Sequence, residues 1–205
     1  LFMADTLGQM IKHGYTIAAN WALANCTDET TSTDTGMMGE PFGLGANTYG
    51  RRSHYFIYPL WQRFGRNLLP VLSPLSGATQ LSLYGGKTAD GKYTVMAINK
   101  SGQPIRSALK VMGPNGALLT MNGGTADVLR AASLDNANPT FNGKYEHEIA
   151  DDLSNVPSMA LPAGNVYTFE PNSVTVLHIN VATNNAPTAT PTPAPPQPTA
   201  TPTAT

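Results

Sequence analysis

Residues 1–23 read LFMADTLGQMIKHGYTIAANWAL, and the kind of fold this chain enters turns on them. Met3, Leu7, Met10 and Ile11 recur at helical spacing, while Asp5, Gln9 and Lys12 fall on other faces. Lys12, His13 and Gly14 read as a helix stop, because glycine accepts a left-handed turn and cations suit the negative end of a helix. The mostly apolar run from Thr16 to Leu23 then has the composition of a strand buried on both faces, as strands of parallel sheets are. A helix feeding such a strand through so short a turn is an α/β unit. One unit cannot cover its own apolar surface, and no further unit follows, so the stretch reads as the last piece of a larger α/β domain.

Composition narrows the function classes. A 205-residue chain with 41% hydrophobic residues can build a real core. Only 12% of its residues are charged and the net charge is −1, so it offers no basic surface to meet the phosphates of nucleic acid. It contains no apolar run of the about 18 residues that a membrane span requires. A single cysteine, Cys26, rules out an internal disulfide framework and reads as an inert thiol, with pairing to a residue outside the chain as the alternative. Low charge with abundant Thr, Asn, Gly and Pro points to a secreted bacterial protein. Because the chain opens on Leu1 rather than methionine, its natural start is expected to lie upstream.

Beyond Leu23, Ala24–Gly50 is rich in Thr, Asp and Gly and has neither helical nor strand periodicity. So long a connection is uncommon in a compact domain unless it is functional, and this one leaves the carboxyl end of a parallel strand, the face where such sheets bind ligands. Ser53–Asn67 reads as a second helix through Phe56, Ile57, Leu60, Trp61 and Phe64, with Ser53 as N-cap. Pro59 implies a kink or a start near Tyr58. Leu68–Leu72 leads out of that helix, and Ser73–Gly77 reads as a domain boundary. From Ala78 the period becomes two, with strands expected at Leu81–Tyr84, Tyr93–Asn99, Ile105–Val111, Ala117–Met121, Asn165–Glu170 and Val174–Val181. Short strands with regular turn signals indicate an antiparallel β-sandwich, and Asn122–Pro157 reads as a polar, irregular excursion. Asn184–Thr205 holds seven prolines and seven threonines, which leaves nothing to pack and reads as an extended linker to a further module or a surface anchor after Thr205.

This order resembles the C-terminal third of a clan A glycoside hydrolase, most like the family 51 α-L-arabinofuranosidases. Leu1–Asp5 with Ile11–Gly14 is similar to the seventh helix of that family's (β/α)8 barrel. Ala18–Leu23 is similar to its eighth strand, and Ser53–Gly65 with Leu68–Val71 to its eighth helix. The resemblance implies α/β plus all-β architecture in three parts: 1–72, the end of an incomplete barrel; 78–182, an antiparallel β-sandwich; and 183–205, a disordered Pro/Thr tail. It also implies a saccharide partner and no cofactor or metal. Retaining enzymes of this clan use two carboxylates about 5–5.5 Å apart. The family carries them as strand-ending glutamates, the first after an asparagine, and this chain has no Asn-Glu pair. The expectation is therefore a fragment with no catalytic residue of its own, both glutamates lying before Leu1.

Three residues are candidates for substrate contact. Trp21 ends the eighth strand of the resemblance, where a ring can lie under a sugar, although a buried core aromatic is the competing reading. Asn25 and Tyr49 belong to the loop that would rim the cleft. Glu146-His147-Glu148, read as extended, splits its acids and imidazole onto opposite faces and makes a poor metal site. Asp151-Asp152 lacks calcium-ligand spacing. Asn25-Cys26-Thr27 and Asn99-Lys100-Ser101 formally match a glycosylation acceptor. His13 and His54 read as helix-end or surface residues, and His178 as facing outward from the last strand. The alternative to a hydrolase fragment is a carbohydrate-binding or surface-adhesion module, for which Tyr84, Tyr93, Tyr145 and Tyr167 are the candidate ring platforms. A third role for the sandwich is to brace the barrel.

Overall fold

A computed structural model describes residues 1–18, 51, 53–74, 80–134, 136 and 138–182. It is mostly antiparallel sheet with two helices. Helix α1 spans Phe2–Lys12 and α2 spans Ile57–Arg63. The main sheet runs β1 (Asn67–Leu69), β2 (Leu81–Lys87), β3 (Tyr93–Asn99), β12 (Ser173–Val181), β7 (Met121–Arg130), β8 (Thr140–Phe141) and β9 (Lys144–Tyr145), with β10 (Met159–Leu161) also paired to β7. Two small hairpins complete it, β4 (Ile105–Ala108) with β11 (Val166–Phe169), and β5 (Val111–Met112) with β6 (Leu118–Leu119).

The sheet is covered on both faces, so its central strands bury side chains on both sides rather than on one. On one face Met96, Ile98, Val174, Val176, Leu129 and Phe141 pack with Phe56, Ile57, Leu60 and Phe64 of the α2 region and Ala4 of α1. On the other, Ala97, Leu177, Ile179, Leu81 and Ala126 pack with Phe169, Val111 and neighbours from the hairpins. Each fully buried Ile or Leu of these layers contributes about 1.5–3 kcal/mol. His178 consequently does not face solvent. It lies on the helix-covered face, half-buried, where burial lowers its pKa.

Several expectations are met in position and corrected in detail. The stop at Gly14 is present, with φ +79° and the Tyr15 N–H donating to the Met10 carbonyl at 3.0 Å. The face of α1 that is covered is centred on Ala4 and Gly8 rather than on Met3 and Met10, because Gly8 lies against the Tyr84 ring. A Cβ at Gly8 would fall 2.3 Å from a ring carbon. Thr16–Ala18, expected to open a buried strand, is exposed and not in a strand, with Ile17 at 80% exposure; the rest of that strand lies outside the described residues. Helix α2 starts four residues after Ser53, has Phe56 as its N-cap, and makes no side-chain cap bond. That start puts Pro59 in the first turn, where its missing N–H costs no helical hydrogen bond. Leu68-Leu69, read as a lead-out from the helix, belongs to β1 and pairs with Gly86 and Gly85.

The largest correction concerns Asn122–Pro157. Rather than an irregular excursion it contains most of β7, a ten-residue strand beside β12 in the middle of the sheet. Its polar appearance comes from Gly123-Gly124, which is where the pairing with β12 shifts register between Ile179 and Val181. Gly124 has φ +146°, and a Cβ there would lie 1.8 Å from the His178 carbonyl oxygen. Both backbone strain and collision follow from any side chain. Gly124→Ala is predicted to lower the unfolding free energy by about 3 kcal/mol. The midpoint of urea unfolding followed by circular dichroism measures it, and an unchanged midpoint refutes this account of the bulge.

Candidate functional site

Trp21, Asn25 and Tyr49 lie outside the described residues, as do Cys26, the loop Ala24–Gly50 and the tail 183–205. What the structure shows is how the segments on either side of that loop are fastened. Three polar nodes tie them to the sheet.

The first node joins α1 to β2 and β3. Asp5, one helical turn before Gly8–Gln9, is brought over Tyr84 by the close approach at Gly8. The Tyr84 hydroxyl donates to Asp5 Oδ1 at 2.5 Å and accepts from Gln9 Nε2 at 3.0 Å. Lys100 Nζ donates to Asp5 Oδ2 at 2.9 Å and to Ser82 Oγ at 3.0 Å. Burial pushes the Asp5 carboxyl up, but hydrogen bonds from Tyr84, Lys100 and Ser82, with the Lys100 charge, outweigh it and hold the group below its ordinary 3.8. Burial, then the Asp5 bond and charge, push Tyr84 well above its ordinary 10.0. The carboxylate therefore stays charged and the phenol neutral through the whole physiological range. Neither is poised to pass a proton near pH 7, which general acid–base chemistry requires.

The second node joins α2 to β7. Asp127 is fully buried, and its carboxylate accepts from Arg63 Nη1, from Asn142 Nδ2 at 2.8 Å and from Ser158 Oγ at 2.9 Å. The Arg63 guanidinium also lies 5.6 Å from the centre of the Phe141 ring. The third node receives the chain where it returns from the long loop. Arg51 donates through Nε to Glu146 Oε1 at 3.2 Å, through Nη1 to the Ala150 carbonyl at 3.1 Å and through Nη2 to the Glu146 and Ile149 carbonyls. By gathering those carbonyls it winds Glu146–Glu148 into a 3₁₀ turn, so this segment is not extended as the sequence suggested. Glu148 accepts the Tyr145 N–H at 2.7 Å.

The remaining motifs are also structural. Asn99 of the second glycosylation tripeptide is fully buried, its Nδ2 donating to the Gln103, Phe169 and Glu170 carbonyls at 2.8–3.2 Å. Asp152 is hydrogen-bonded by Ser154, through its side chain and then its backbone N–H, which lowers the Asp152 pKa. No group of three potential metal ligands occurs among the described residues. Of the four candidate ring platforms, Tyr84 is core, Tyr93 carries Lys87 Nζ 5.0 Å over its ring, and Tyr167 packs beside Phe169. Tyr145 alone of the four is exposed. Sequence reasoning placed Asp5 and Gln9 only on faces other than the apolar one, without a partner, and passed over Lys100, Arg63 and Asp127. The one signal available was an acid set among strand-forming residues in Ala126–Leu129.

No family model matches the chain, and no curated protein matches it. Among solved structures it is similar to an arabinose-bound MgGH51 α-L-arabinofuranosidase, with 15% identity and a TM-score of 0.46 over 68% of this chain and 21% of that one. It is also similar to a second arabinofuranosidase, with 18% identity and a TM-score of 0.33 over 49% of this chain and 19% of that one. The chain thus spans about a fifth of each, a distant structural resemblance.

Two outcomes follow from the nodes. Tyr84→Phe removes a buried hydroxyl with two partners and is predicted to cost about 1–2 kcal/mol. Because the Tyr84 pKa is raised, its contribution is intact below pH 10.0 and is lost as pH rises beyond that value, whereas the Asp5 contribution is intact above 3.8 and is lost as pH falls below it. Urea midpoints across alkaline pH should decline more steeply for the native chain than for Tyr84→Phe; parallel curves contradict the assignment. Asp127→Ala strands Arg63 without its buried partner and is predicted to cost about 3–5 kcal/mol. A loss below about 1 kcal/mol would place that pair with ordinary surface bridges.

Proposed function

We propose that residues 1–182 are the accessory C-terminal part of a secreted, retaining glycoside hydrolase, arabinofuranosidase-like and acting on plant polysaccharide. In this reading 78–182 braces the helices of 1–72, and the glutamate pair that cleaves the bond is supplied by residues other than those described. Trp21, Asn25 and Tyr49 take the substrate-facing places at the rim, and 183–205 tethers a further module.

The observation that carries the reading is that both helices of the barrel-end resemblance bury their faces against the sheet rather than against each other alone. Gly8 meets Tyr84, Ile57 and Leu60 share a core with Val174 and Val176, and Trp61 Nε1 reaches the Ala4 carbonyl at 3.3 Å. A sheet used in this way supports α1, which ends at Gly14, while Arg51 is tied to the turn after β9. The carboxylates add support. Among the described residues, Asp5, Asp127, Glu146, Glu148 and Glu170 are each engaged by a cation or a backbone N–H and so serve the structure.

The test is hydrolysis of 4-nitrophenyl α-L-arabinofuranoside by the 205-residue chain and by the full translated reading frame that encodes it. The expected result is no turnover by the chain and turnover by the full product, abolished when its strand-ending glutamate after asparagine is changed to glutamine. Turnover by the chain alone, or a full product without βα repeats and without such a glutamate, overturns the proposal.

A further inference from the structure

The sheet edge remote from β1 carries a feature that bracing does not use. Between the end of β7 and the β8–β9 hairpin lies an open cleft of about 390 Å³, lined by Arg130, Ala131, Asn136, Asn138, Thr140 and Tyr145. Its size falls in the range of small-molecule sites, about 300–1,000 Å³. Strand register builds one wall. Arg130 lies opposite Thr140, and Thr140 opposite Tyr145, so the three side chains form one cross-strand row on the face turned away from the helices.

The chemistry of the lining is selective. Tyr145 is 48% exposed, and its ring stands almost parallel to the His147 imidazole, with centroids 6.1 Å apart and planes 4° apart. Asn136 Oδ1 accepts the Asn138 N–H at 2.7 Å, which turns the Asn136 NH2 the other way. Neither that NH2 nor the Asn138 side-chain amide has a partner among the described residues. The Thr140 hydroxyl reaches only the Arg130 carbonyl, at 3.5 Å. The one cation of the lining, Arg130, is already matched by Glu170 Oε2 at 3.2 Å. The cleft therefore offers donors, acceptors and a flat ring with no net charge. An anion would find no unmatched cation here. A neutral ring bearing adjacent hydroxyls meets every group: amides both donate and accept, and the apolar C–H face of a sugar fits an aromatic face.

We infer that this cleft is a binding subsite for a neutral saccharide, centred on Tyr145 and Asn138. It goes beyond the bracing role and depends on neither α1 nor the loop 24–50. The experiment titrates the ¹⁵N-labelled 205-residue chain with arabinotriose, xylotriose and trigalacturonate, following amide shifts. The expected result is saturable shifts at Arg130–Ala132 and Thr140–Tyr145 with at least one neutral trisaccharide and not with trigalacturonate. Tyr145→Ala and Asn138→Ala should each weaken that binding about tenfold, and Tyr145→Phe, which keeps the ring, less than about threefold. The thermal midpoint of each variant separates lost binding from lost folding. Binding that survives both alanine substitutions, shifts confined to other residues, a preference for trigalacturonate, or no saturable shift with either neutral trisaccharide overturns the inference. None of these outcomes bears on hydrolysis by the full product, so the two proposals fail separately.

Discussion

A buried carboxylate in the middle of a sheet has to be answered, and Asp127 is answered from three directions. Arg63 comes from α2, Asn142 from the tight turn between β8 and β9, and Ser158 from the residue before β10. Leaving such a charge unpaired costs several kcal/mol, so the three segments that supply its partners are ordered together. Asn142 does more than pair: at φ +48° its amide N–H donates to the Val128 carbonyl while its Oδ1 accepts the Val128 N–H, which seats the turn against β7. Hydrophobic burial supplies most of the stabilisation. The Asp127 network decides which helix covers which part of the sheet.

The Asp5–Tyr84–Lys100 node performs the same service for α1, with less burial and more exposure to solvent. Between them the two nodes hold the helices on one face while the two hairpins cover the other. On either side of the undescribed stretch, α1 ends at Gly14 and Arg51 is held by Glu146.

Much of this was legible in the residues, and the failures have specific causes. The period of two announced the strands at Val174–Val181 and Tyr93–Asn99, and Gly14 its helix end, because local patterns settle those elements. Strand β7 was hidden because its two glycines serve a bulge and its aspartate serves a tertiary pair, so that neither looks like a strand residue locally. The covered face of α1 was misjudged for a related reason. Close approach at Gly8 outweighs the larger side chains of Met3 and Met10, and only the position of Tyr84, more than seventy residues away in the chain, reveals it. The residues proposed for sugar contact, Trp21, Asn25 and Tyr49, rest on resemblance, whereas the Tyr145 cleft needed the register of three strands to bring its lining together.

The central claim is that helices and sheet form one cooperative unit rather than a sheet domain with helices loosely appended. Native-state hydrogen exchange of the full chain under increasing urea addresses it most directly, by comparing amides of α1 and α2, such as Gln9 and Trp61, with those of β3 and β12, such as Met96 and Val176. The account predicts that both sets open with the same free energy, within about 1 kcal/mol, and with the same urea dependence. Helix amides that exchange through a smaller, separate opening while the sheet amides stay protected would contradict it.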